Sequence, residues 1–165
     1  MSEFEIIRRY FTSESGGALL GVGDDAALVA VSPGMELAVS TDMLLEGRHF
    51  FANADPRQLG HKALAVNLSD MAAMGAEPRW LTLALALPKA DEHWLEAFSR
   101  GFSELAHAHQ VELIGGDTCR GALTLCVQIM GEVPKGEALR RDGAKAGEDI
   151  WVSGKLGDAA LTVAH

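Results

Sequence analysis

Asp24, Asp25, Asp42, Asp70 and Asp117 restrict what this chain can fold into. They sit in the segments GVGDDAALV, STDMLLEGRHF, AVNLSDMAAMG and LIGGDTCRG, each beside Gly, Ser or Thr and next to an apolar run. A carboxylate at the end of a buried strand, or on an inner helix face, is costly unless something positive neutralises it. No run of Lys or Arg accompanies these segments. A fold that tolerates them brings them to one rim of a sheet around a hard divalent cation. Mg²⁺, with oxygen ligands and phosphates, fits best.

Hydrophobic periodicity supplies the elements. Phe4 to Phe11 has the spacing of a short helix. AALVAV (26–31) and ELAVST (36–41), separated by SPGM, are read as an antiparallel pair. Asp55-Pro56 starts a helix that Gly75 ends, and on it Ala63, Asn67, Asp70 and Met74 share one face. Arg79 to Leu87 is a strand apolar on both faces, hence central. Asp91 caps a further helix to about Gln110, with Trp94, Leu95, Phe98, Phe102 and Leu105 as its buried stripe. VELIGG (111–116) is a strand entering a glycine turn, ALTLCVQIMGEV (122–133) a longer strand, and DIWVSG (149–154) a last one. The order predicts an α/β (α+β type) fold, a mixed sheet with helices on one face. GKLGDAALTVAH then opens a new helix. The expected division is a domain over 1–153 and the start of a truncated second domain over 154–165.

Each acidic segment has an ordinary reading beside the chemical one. GVGDDAALV is in isolation an Asp-rich turn before a strand. Ser40, Thr41 and Asp42 offer hydroxyl and carboxylate oxygens, or a helix cap. Arg48 and His49 either face a phosphate or form a surface pair. Asp70 lies mid-helix among Ala, Leu and Met, where it caps nothing; metal binding competes there with a buried hydrogen bond. LIGGD resembles a backbone nest for an anion, against a tight hairpin with glycine at positive φ. GxxxxGK[ST] is absent. Their conjunction points to phosphoryl chemistry by another architecture, in which several Mg²⁺ ions bridge phosphates.

Composition excludes other classes. A net charge of −9 leaves no basic footprint for nucleic acid. The N-terminus MSEFEIIRRYF lacks the apolar core of a signal peptide, and WLTLALALP stops at Pro88, short of a membrane span. Cys119 and Cys126 lack zinc spacing and are read as reduced thiols.

Taken in order, GxGDDAA, STDxLxxGxHF, KALAVNLSDxAAMGAxP and LIGGDTxRG resemble the thiamine-monophosphate kinases, within the superfamily of aminoimidazole ribonucleotide synthetase. The resemblance runs from about Phe4 to the last residue. It implies ATP-dependent phosphorylation of thiamine monophosphate to thiamine diphosphate, in the cytoplasm, with Mg²⁺ and ATP. It implies an N-terminal domain that forms a homodimer through its sheet, with no nucleic acid or membrane partner. By position, Asp25, Ser40, Thr41, Asp42, Asp70 and Asp117 become Mg²⁺ ligands, with Asp24 a weaker candidate than its neighbour. Gly116, Asp117 and Arg141 lie against ATP, His49 contacts the thiamine phosphate, and no acid or base is assigned. The fragment alone is expected to be inactive. The alternatives are a sister synthetase of the aminoimidazole ribonucleotide or selenophosphate type, or a non-catalytic dimerisation or metal-binding fragment. Against the selenophosphate type, residues 1–30 hold neither Cys nor Lys.

Overall fold

Helix boundaries follow the capping chemistry. A computed structural model of the chain describes residues 1–12, 17–152 and 154–157. Its elements are α1 (Glu3–Tyr10), β1 (Met35–Leu45), α2 (Pro56–Met74), β2 (Glu77–Leu87), α3 (Glu92–Ala108), β3 (Glu112–Arg120) and β4 (Thr124–Pro134). Asp55 Oδ1 accepts the Gln58 N–H at 2.9 Å to start α2, and Gly75 ends it at φ 68 in the left-handed region. Asp91 caps α3 through the Trp94 N–H at 3.2 Å.

The sheet has the order β1-β4-β2-β3. β4 pairs antiparallel with both β1 and β2, while β2 and β3 run parallel with α3 as the crossover. The mixed sheet with its helices on one face is therefore as expected, and β2 is central. Three strand readings are corrected. Residues 26–31 form no strand, because β1 takes β4 as its antiparallel partner instead. The glycines of LIGGD lie within β3, which runs on to Arg120, and make no turn. Residues 149–152 are not a strand either: Ile150 and Trp151 are 95% and 88% exposed, with no strand beside them among the described residues. The helix expected to open after Gly157 lies outside the described residues.

The core lies between the sheet and α2–α3. Leu81, Leu85, Leu125, Val127 and Ile129 meet Leu64 and Met71 of α2 and Leu95, Phe98 and Phe102 of α3, all essentially without solvent contact. Each such side chain contributes about 1.5–3 kcal/mol by burial. The helices touch backbone to backbone: a Cβ on Gly101 would lie 1.9 Å from the Arg57 carbonyl oxygen. The opposite sheet face is different. β2 places the small side chains of Thr82, Ala84 and Ala86 there, and Ala84 is exposed. Leu37, Val39 and Met43 of β1 are 41%, 52% and 55% exposed. So β2 is not buried on both faces as its sequence suggests. No described helix is long and apolar enough to cross a membrane.

Candidate functional site

At the β1 edge, strand alternation decides which oxygens meet. Ser40 points toward the helices, and its Oγ donates to Asp70 Oδ2 at 2.5 Å. Asp42 follows two residues later on the same face, opposite the buried Val127. Thr41 turns the other way, where its Oγ1 accepts from Gln128 Nε2 at 3.4 Å. Asn67, one turn before Asp70, is fully buried. Its Nδ2 donates to the Ala63 carbonyl at 2.9 Å, and its Oδ1 has no partner among the described residues. Ser40 and Asp70 are in direct contact, Asp42 shares the strand face of Ser40, and Asn67 lies one turn from Asp70; all four offer hard oxygens of the kind Mg²⁺ takes.

At the opposite edge, β3 supplies a second group. Gly116 has φ 152, and a Cβ there would stand 1.9 Å from the Leu83 carbonyl oxygen. Only glycine permits this approach. Asp117 is exposed on the face away from the helices, level with Ala84. A cavity of about 540 Å³ runs along this edge, walled by Phe4 and Ile7 of α1, by Asp24 and Asp25, and by Gly116 and Asp117.

Asp24 and Asp25 reach that cavity on a strap, residues 17–32, which crosses the sheet end and folds back where Leu20 pairs with Leu28. Two carboxylates hold its base. Glu112 Oε2 accepts the N–H groups of Gly17 and Ala18, each at 2.9 Å. Glu132, 2% exposed, accepts the Ser32 N–H at 2.5 Å, the Ser32 hydroxyl at 3.0 Å and Arg79 Nε at 3.3 Å. The Ser32 N–H above all, then its hydroxyl and Arg79, holds the Glu132 carboxyl below its ordinary value, overcoming the opposing effect of burial. At the strap's tip Asp24 Oδ1 accepts the Asp25 N–H at 2.9 Å, so Asp24 serves its own turn. Sequence reasoning missed both anchors. Glu132 had a usable signal, a lone carboxylate in the apolar run LCVQIMGEV; Glu112 had none.

The structure thus groups Ser40, Asp42 and Asp70, and separately groups Asp24, Asp25, Gly116 and Asp117. The two groups do not meet within one chain. The register runs Asp42–Val127–Leu83–Gly116, which is three strand spacings, or about 14 Å. Asp42 and Asp117 also face opposite sides of the sheet. Among the described residues no three His, Cys, Asp or Glu side chains come within reach of one metal ion. Arg141 is exposed in the segment after β4, near the end of α2 that carries Asp70, where the Leu139 N–H donates to the Met74 carbonyl at 3.0 Å. His49 lies in the turn after β1 and lines a groove with Arg48, His61 and Lys62.

Residues 23–133, which hold both groups, match the family described as AIR synthase related protein, N-terminal domain. The chain belongs to this family. It is 52% identical over 165 residues to the thiamine-monophosphate kinase of Escherichia coli (strain K12), covering 98% of this chain and 51% of that protein. The crystal structure of thiamine-monophosphate kinase from Stenotrophomonas maltophilia K279a superposes with a TM-score of 0.85 at 53% identity, covering 98% of this chain and 50% of that one. A structure of AaThiL complexed with AMPPCP and TMP gives a TM-score of 0.65 at 30% identity, with 86% and 44% covered. The chain spans about half the length of the curated relatives it matches.

Proposed function

We propose that this chain is the metal- and nucleotide-binding half of a kinase that phosphorylates thiamine monophosphate to thiamine diphosphate with ATP. The observation that carries the reading is the 52% identity to the E. coli kinase over 98% of the chain. The hard-oxygen set at β1 and the glycine-lined cavity at β3 support it from chemistry. The domain spans 1–153, and 154–165 begin the next one. In this reading the setting is cytoplasmic and the partners are thiamine monophosphate and ATP, whose phosphates a chain of net charge −9 admits only where Mg²⁺ or local Lys and Arg reverse the field.

In this reaction an oxygen of the acceptor phosphate attacks the γ-phosphorus of ATP, and the bond from that phosphorus to the β–γ bridging oxygen breaks. The protein positions two anions and neutralises them; it does little covalent work. Bound Mg²⁺ supplies that neutralisation. Asp25, Ser40, Asp42, Asp70 and Asp117 would hold the metal through side-chain oxygens, and Thr41, whose hydroxyl is engaged by Gln128 on the other face of the sheet, would join them only through its backbone. Gly116 leaves the β3 backbone bare for the nucleotide, Arg141 meets its phosphates, and His49 meets the thiamine phosphate.

The β1 and β3 groups need a second copy of the chain to share one ligand. A homodimer through the open sheet face would cover Leu37, Val39 and Met43 and seat the Gly116–Asp117 edge of one copy against the Asp42–Asp70 edge of the other. Two experiments test this. Met43→Lys should convert a sedimenting dimer to a stable monomer; an unchanged sedimentation coefficient rules out this face. Asp70→Asn and Asp117→Asn should each abolish Mg²⁺-dependent ATP binding by calorimetry. Mixing and re-equilibrating the two variants should restore about one site in four, in the mixed dimers. Unaltered binding in both single variants would sink the shared-site reading.

A further inference from the structure

The turn that follows β1 is closed by its own backbone. The Leu45 carbonyl accepts the N–H groups of Arg48 at 3.2 Å and His49 at 2.9 Å, the Gly47 N–H donates to the Phe50 carbonyl at 2.8 Å, and Gly47 takes φ 76. Two further bonds bear on His49 itself. The Leu45 N–H donates to His49 Nδ1 at 3.0 Å. From the second turn of α2, Lys62 Nζ donates to the His49 backbone carbonyl. The same helix carries Asp70 two turns further on.

A ring nitrogen that accepts an N–H carries no proton, so the neutral imidazole of His49 has its proton on Nε2. Among the described residues no hydrogen bond engages Nε2. The ring is exposed and lines the groove shared with Arg48, His61 and Lys62. On a chain of net charge −9, this grouping gives an anion a local reason to approach.

We propose that Lys62 is a positioning residue: with the Leu45 N–H it presets His49 as a neutral Nε2–H donor aimed at an oxygen of the anionic substrate. This rests on the reading above in which His49 meets the thiamine phosphate. The ammonium pins the peptide that carries the ring, and the pinned peptide holds Nδ1 over the Leu45 N–H. No proton has to arrive or leave for the ring to donate. When Lys62 is removed, the carbonyl loses its tether, the ring rotates off Leu45, and the two neutral tautomers exchange.

The test is two-bond ¹⁵N–¹H correlation spectroscopy of the histidine-labelled chain, at a pH where the ring is neutral, with His49→Gln to assign the signal. Wild type should show the Nε2–H pattern alone. Lys62→Met should show averaged tautomers, and Lys62→Arg, which still donates to the carbonyl, should keep the wild-type pattern. A wild-type ring protonated on Nδ1 or already averaged, or a Lys62→Met spectrum identical to wild type, overturns the proposal. Thiamine monophosphate with Mg²⁺ and ATP is then added. It should shift the His49 Nε2–H signal and bind about tenfold more weakly to Lys62→Met. A ring that shows the preset tautomer but ignores thiamine monophosphate overturns the substrate reading and the donor role, while Lys62 keeps its control of the ring.

Discussion

The two edges of the sheet hold their oxygen groups by different means. At β1, Ser40, Asp42 and Asp70 stand on one strand and one helix that the core already fixes, and the 2.5 Å bond from Ser40 to Asp70 joins them directly. At β3, Gly116 and Asp117 are equally fixed, but Asp24 and Asp25 ride on a strap held at its ends by Glu112 and Glu132. The first group is preorganised by packing. The second depends on two remote carboxylates that touch no proposed ligand. Substitutions should therefore separate the edges, with damage at one leaving the other intact.

Gly116→Ala should have the largest effect. It places a Cβ 1.9 Å from the Leu83 carbonyl oxygen at a φ that side chains avoid. Strain and overpacking together should cost about 3 kcal/mol or more in urea unfolding. A loss below about 1 kcal/mol would show that β3 can withdraw from β2 freely, and the β3 edge would then be no firmer than the strap.

Glu132→Gln should come next, at about 2 kcal/mol near neutral pH, because it weakens three hydrogen bonds to a charged and buried acceptor. The effect should be local. Hydrogen exchange should quicken at Ser32 and along the strap while β1 amides stay protected, and quickening at β1 would break the comparison. The pH dependence has a definite sign. The folded-state carboxyl titrates below its ordinary 4.5. Its contribution is present in full above that ordinary value and is lost as pH falls through the folded-state value. The gap between wild type and Glu132→Gln should thus narrow as unfolding is measured from about pH 7 down to about pH 3.

The same contrast marks how far the fold could be read from residues alone. Helices α2 and α3 were legible because their signals are local: Asp55, Pro56, Gly75 and Asp91 act within a few residues of themselves. The face of Asp70 was legible for the same reason, from helix periodicity; that Ser40 and Asp42 share one face and Thr41 the other follows only because β1 runs on to Leu45. Partner choice was not legible. Residues 26–31 are as apolar as a strand, yet β1 pairs with β4, far along the chain, because that pairing buries Ile129 and Val127 beneath α2. GGD reads as a turn until Leu83 is seen to occupy the space a side chain would need. The separation of Asp42 from Asp117 on opposite faces follows only from the strand order, which no local pattern encodes.

Asn67→Leu should have the smallest effect on stability and the most to say about the β1 edge. The side chain is fully buried; one end donates to the Ala63 carbonyl, and the other has an oxygen without a partner among the described residues. Leucine of similar volume deletes one hydrogen bond and also one unmatched acceptor, and these nearly offset, so urea unfolding should move by no more than about 1 kcal/mol. Asn67→Ala, which leaves a cavity, should cost about 2 kcal/mol. If Asn67 only packs, Mg²⁺-dependent ATP binding should follow stability, with the Ala variant the weaker binder. If its Oδ1 belongs with Ser40, Asp42 and Asp70, the Leu variant should bind several-fold more weakly than wild type while remaining as stable. We expect the second pattern: an unmatched buried oxygen one turn from Asp70 costs stability that a purely structural position would have no reason to retain.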